Sequence, residues 1–281
     1  MLFRIILITL IIGFNPIIAT PEKQHPTLPR KSHNYLMLSM TKGGTHLLYK
    51  LLKMVSSNKN YNVHYYRQLG KDRLRFPPHH QMTSDVFLRA IEQKSNPCLI
   101  AHLNFYDLFQ QFSMKHPDFK KFVMVRDLRD ICVSTVYHKW QQLNKFLGEN
   151  ASFNKRLHYV INPTHGFLPN SVFNIAKEAE KALACMMDPS YIVCRFEILC
   201  GKEGGGSTEA QAQQVKKIAK AINIDLTDEE LLYVVNNLWG DTNTFRKGKI
   251  GSWKDHFKPS HIKAFKKHLG IYLTKMGYLW N

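Results

Sequence analysis

The chain has no CxxC pair among its five cysteines, Cys98, Cys132, Cys185, Cys194 and Cys200, which argues against a zinc site and against a dense disulfide framework. They stand singly, four of them in apolar segments, and read as small core residues. The odd count leaves at least one without an intramolecular partner, and cysteine usage does not fix the redox compartment. Internal repeats are absent. No apolar run reaches the ~20 residues a membrane span needs. Acidic residues are scarce: 21 Asp and Glu face 39 Lys and Arg, a formal net charge of +18. That excess concentrates anionic ligands such as nucleotides, sulfated glycans, nucleic acids and acidic lipids, but it carries no information about fold.

What is present is enough apolar material for one large core: 281 residues, 44% hydrophobic and 12% aromatic. A single domain is the expected organisation. Residues 1–4 supply a short positive region, residues 5–14 an apolar run interrupted by Asn15 and Pro16, and Ile17, Ile18 and Ala19 a cleavage-like site. Residues 1–20 thus read as an export signal, or as an uncleaved signal anchor that associates the protein with a membrane. A buried first strand of a cytoplasmic protein is the alternative. Residues 21–33 look like a polar linker, and residues 34–281 form the domain.

Periodicity then gives short apolar strands alternating with helices. Strands are expected over residues 34–39, 61–66, 98–101, 119–125 and 191–195. Helices are expected over residues 46–55, 86–92, 105–112, from about 130 to 145, 172–187, 207–221, 225–238 and 259–276. A loop is expected over residues 148–170, and a flexible glycine-rich stretch over residues 201–206. This order predicts an α/β domain of three layers, with a mainly parallel sheet between helices.

Three segments carry chemistry. Thr41, Lys42, Gly43, Gly44 and Thr45 lie where a strand turns into a helix, so free backbone amides and the helix dipole favour a phosphate there. It is not a Walker A loop, because the lysine precedes the glycines and His46 follows Thr45. Arg126 ends a later strand and Ser134 lies two turns into the next helix. A guanidinium and a hydroxyl can clamp one phosphate from two sides, although Arg126, Asp127, Arg129 and Asp130 could equally form a surface ion-pair patch. Arg246, Lys247 and Gly248 make a compact cationic turn suited to an anion.

Taken in order, these segments resemble the sulfotransferases that use 3′-phosphoadenosine 5′-phosphosulfate (PAPS). TKGGT is similar to their 5′-phosphosulfate loop, RDLRDICVS at residues 126–134 to their 3′-phosphate segment, and RKG with Gly251 and Trp253 to their third signature. The resemblance runs over roughly residues 34–280 and implies a P-loop NTPase-like fold. It implies that Lys42, Gly43, Gly44, Thr45 and His46 hold the 5′ side of the donor, and that Arg126, Ser134, Arg246, Lys247 and Gly248 hold its 3′-phosphate. Phe196, where a tyrosine is frequent, would lie near the adenosine. By the same resemblance His102, at a strand end, is the base that takes the acceptor proton, and Lys42 neutralises the leaving group. No metal is expected.

Thr41 stands where the family usually has proline, His46 where it has a small hydroxyl residue, and Ile100 where many members carry a second lysine. The acceptor implied is a hydroxyl or amine on a small molecule, lipid or glycan, with no nucleic-acid partner, and the sequence does not fix the oligomeric state. Two alternatives remain: a P-loop-type small-molecule kinase, and a non-catalytic polyanion-binding protein on the same scaffold.

Overall fold

A computed structural model describes residues 28–58, 60–62, 98–162, 174–242 and 245–280. Five strands, β1 (Tyr35–Ser39), β2 (Asn60–Asn62), β3 (Cys98–His102), β4 (Lys120–Val125) and β5 (Tyr191–Arg195), make one sheet in the order β2-β3-β1-β4-β5. Every pairing in it is parallel. The helices in chain order are α1 (Thr45–Val55), α2 (Tyr106–Lys115), α3 (Leu128–His138), α4 (Trp140–Leu147), α5 (Phe153–Ile161), α6 (Ile175–Met187), α7 (Phe196–Leu199), α8 (Gly201–Gly204), α9 (Thr208–Ala221), α10 (Asp228–Leu238), α11 (Pro259–His268) and α12 (Gly270–Lys275). Short 3-10 turns occupy Leu103–Phe105 and Ser252–Asp255.

Both faces of the sheet are apolar, and this is why its strands lack polar alternation. Tyr35, Met37, Ile100, Phe122 and Met124 pack with Leu48, Leu52, Val215, Ile218 and Val234 from α1, α9 and α10. On the other face Leu36, Leu38, Ala101, Val123 and Val125 meet Phe109, Ile131, Ala179 and Phe265 from α2, α3, α6 and α11. Each such side chain contributes roughly 1.5–3 kcal/mol on burial, against about 0–1 for an exposed pair like that of Lys216 with Asp228. Two-sided burial therefore sets the architecture. The five cysteines are all free and buried within it.

The strand order places β1 at the centre, with the chain crossing it between β3 and β4. The crevice outside the carboxyl ends of the strands at such a reversal is where open α/β sheets bind ligands.

Several boundaries differ from the sequence reading. The helix expected to run to about residue 145 is two, α3 and α4, separated at Lys139. The loop expected over residues 148–170 contains α5, whose first turn is capped by the Ser152 side chain and which stops before Asn162 and Pro163. The last expected helix divides into α11 and α12. The expected strand over residues 61–66 starts one residue early, at Asn60, and its residues 63–66 lie outside the described residues. The glycine stretch is no flexible linker: Gly201 and Gly204 are buried in the turn α8, where a Cβ on Gly201 would approach Gln211 Oε1 to 2.2 Å. The end of the expected linker is also packed, with Arg30 paired to Glu230 at 2.7 Å and the His33 amide bonded to the Ile222 carbonyl at 3.0 Å. The export signal over residues 1–20 and the helix over residues 86–92 lie outside the described residues. Among the described residues no helix is long and apolar enough to cross a membrane.

Candidate active site: a cationic cleft at the carboxyl edge of the sheet

A cleft of about 1030 Å³, counting the open solvent in its mouth, lies at this edge. Its lining includes Lys42, Gly44, Thr45, His46, His102, Arg126, Ser134, Phe196, Arg246, Lys247 and Gly248. Residues more than two hundred positions apart in sequence are thereby brought to one place.

The loop after β1 makes its turn by donating the Gly43 amide to the Met40 carbonyl at 2.8 Å. The Gly43 amide is thus engaged inside the turn, and Gly43 is not among the residues that line the cleft. A Cβ there would sit 2.8 Å from the same carbonyl oxygen, so the glycine is required for the turn itself. Gly44, at φ +105°, begins α1, and its own Cβ would fall 2.6 Å from Met124 Cε. Gly44, Thr45 and His46 precede Leu47, whose amide donates to the Gly44 carbonyl at 2.9 Å, and all three line the cleft. Lys42 takes a positive φ of 63°, a left-handed conformation that costs a non-glycine residue about 1–2 kcal/mol. Burial first, then the neighbouring Arg126, Arg246 and Lys139 charges, bring its ammonium down to about 8.

Arg126 emerges from β4, with its guanidinium 3.9 Å from the Phe196 ring centroid. One of its nitrogens donates to the Lys249 carbonyl at 2.9 Å, and its Nε is buried without a partner. The alternative of a surface ion-pair patch fails, because Arg126, Asp127, Arg129 and Asp130 are all buried. Arg129 pairs with Asp127 at 2.6 Å, while the Asp130 carboxylate accepts the Gly251 and Trp253 amides, each at 2.9 Å. Asp130 therefore pins the tail segment that carries Arg246, Lys247 and Gly248. The glycine turn holds the same segment, as the Gly204 carbonyl accepts the Ile250 amide at 2.9 Å. Gly248, at φ +60°, lies against Trp239, where a Cβ would approach the indole to 2.4 Å.

His102 closes β3 beside Ser39, its register partner on β1. Its Nδ1 lies 3.1 Å from Ser39 Oγ, which is 2.6 Å from Thr45 Oγ1. A chain of three polar groups thus joins the base candidate to the anion loop. Burial above all, with help from His46, Lys42 and His138, brings the imidazole down to about 3 despite the Ser39 contact, so the ring is neutral at working pH. Ile100, two residues earlier on the same face, is wholly buried and brings no charge to the cleft.

Sequence reasoning missed Glu178, Asp130 as a support, Ser39, His138, Trp239 and Thr242. Asp130 and the last three line the cleft, Glu178 and Ser39 bond to Thr41 and His102, which also line it, and Asp130 holds the tail by the Gly251 and Trp253 amides. Hydrophobic periodicity carries no trace of such cross-chain contacts.

Residues 32–240 match the sulfotransferase domain family. The chain belongs to that family. Sulfotransferases of this kind take their sulfuryl group from PAPS, and the chain is accordingly a transferase. Among solved structures it is similar to mouse sulfotransferase SULT7A1 complexed with PAP, with 16% sequence identity, a TM-score of 0.58, and coverage of 89% of this chain and 91% of that one. At that identity the likeness is one of fold. No curated protein sequence matches the chain.

Proposed function

We propose that this sulfotransferase binds PAPS along the cleft and moves its sulfuryl group onto a hydroxyl or amine acceptor, with His102 as the base. The observation that carries the reading is the pairing of two anion sites. One cleft brings Lys42 and the start of α1 together with Arg126, Ser134 and the turn of Arg246, Lys247 and Gly248, and His102 Nδ1 lies 3.5 Å from Thr45 Oγ1. A nucleotide bearing a 3′-phosphate and a 5′-phosphosulfate needs two such sites. Phe196, stacked under Arg126, offers an apolar surface between them.

The bound donor supplies an electrophilic sulfur whose leaving group is the nucleotide 5′-phosphate. The chain contributes position and charge. Lys42 and the amides of Gly44, Thr45 and His46 neutralise negative charge that grows on the bridging oxygen as its bond to sulfur breaks. Neutral His102 accepts the proton of the acceptor as the new bond to sulfur forms. For Nε2 to take that proton, Nδ1 must already carry one, and Ser39 Oγ is placed to receive it as a hydrogen bond. Asp130, the one carboxylate among the described residues lining the cleft, has both oxygens engaged by backbone amides. It is poorly disposed to carry magnesium for a kinase.

The test is transfer of labelled sulfate from PAPS to a pool of phenols, lipids and glycans by the purified chain. We expect transfer without added metal, and His102→Ala should lower it at least about 100-fold, the usual worth of a positioned base. Transfer of phosphate from magnesium-ATP, with no binding of adenosine 3′,5′-bisphosphate, would establish the kinase alternative instead. Polyanion binding without transfer to any acceptor would establish the binding-protein alternative.

A further inference from the structure

Lys42 holds its left-handed backbone, φ +63°, in a loop where a non-glycine residue relaxes unless its surroundings over-determine it. The restraint comes from another element. Glu178, in the first turn of α6, accepts the Thr41 amide through Oε2 at 2.6 Å and the Thr41 hydroxyl through Oε1 at 2.6 Å. Its side chain is buried. On the other side of Lys42, the Gly43 amide is fastened to the Met40 carbonyl at 2.8 Å. The peptide around Lys42 is therefore gripped from both flanks, and only the Gly43 grip is local.

Burying a carboxylate is unfavourable unless strong donors face it. Both of these donors belong to Thr41 and neither is a cation. A bidentate contact to the amide and hydroxyl of one residue fixes the rotation of that residue about its backbone, which a single bond would not. We infer that Glu178 is a positioning residue which, through Thr41, holds Lys42 in the left-handed conformation that directs its ammonium into the donor cleft. A chain with an amide at position 41 has a donor to satisfy there, and Glu178 converts that requirement into a restraint on the lysine beside it. The inference rests on the reading of Lys42 as a donor ligand.

The test is a double-mutant cycle read by calorimetric binding of adenosine 3′,5′-bisphosphate to the full chain. Glu178→Gln keeps the volume but turns one acceptor oxygen into a donor, and should weaken binding about tenfold; with Lys42→Met already in place it should change binding less than about twofold. Thr41→Val, which removes only the hydroxyl donor, should give a smaller loss with the same dependence on Lys42, and serves if Glu178→Gln does not fold. Equal losses in both backgrounds, or no loss in either, would overturn the inference and leave the donor reading intact. Failure of the unmutated chain to bind the bisphosphate would instead remove the donor reading, and the inference with it.

Discussion

Lys42 is the residue on which charge and conformation meet. Its ammonium comes down to about 8 from an ordinary 10.5, so in the free enzyme it begins to lose its proton as pH rises through about 8. The value of kcat/KM for the donor reports the free enzyme, and we expect it to fall as pH rises above about 8. A bound anion favours the charged lysine, so the fall in kcat should come at higher pH. Folding stability should move the other way. Between about 8 and 10.5 the unfolded chain holds a proton on Lys42 that the folded chain has released, so this residue makes stability rise with pH across that window. Measuring kcat/KM and thermal stability over the same pH series separates the two, and parallel trends would count against the assignment of Lys42. His102, at about 3, should contribute no acid limb above pH about 5.

At the scale of elements, the proposed 3′-phosphate side of the cleft depends on the segment that leads into the Ser252–Asp255 turn, fastened by its backbone groups. Asp130 on α3 accepts from Gly251 and Trp253, Arg126 donates to Lys249, and Gly204 in α8 accepts from Ile250. Hydrogen bonds to a charged group are worth about 1.5–3 kcal/mol each. Asp130→Ala should therefore lower stability by about 2 kcal/mol or more and weaken bisphosphate binding at least tenfold, by denaturant melt and calorimetry. Thr227→Ala, which removes the capping box of α10 away from the cleft, should cost about 1 kcal/mol of stability and leave binding unchanged. If both changes lowered binding in proportion to stability, the tail would have no specific role. The sequence showed the basic turn at Arg246 as a motif but not what holds it, because Asp130 lies over a hundred positions away and its partners are backbone groups.

For the molecule as a whole, the cleft gathers cations from three separated segments, and this concentration of like charge opposes folding until an anion arrives. Adenosine 3′,5′-bisphosphate at 100 times its Kd should add about 2.7 kcal/mol of stability, seen as a raised Tm. Arg246 and Lys247 are exposed, so salt should weaken the effect, but buried Arg126 and the α1 amides should preserve part of it between about 0.1 M and 1 M. Complete loss of the Tm shift at high salt would mean that the exposed charges alone bind the ligand. The sequence by itself determined the alternation of strands and helices, since apolar runs and caps are local properties. It also determined the residue types at the anion loop, the strand-end arginine and the basic turn, because their spacing is written along the chain. Only the tertiary structure decided that Glu178 grips Thr41 and that Asp130 carries the tail. Those depend on which surfaces α3 and α6 present after two-sided packing of the sheet, and no spacing along the chain encodes that.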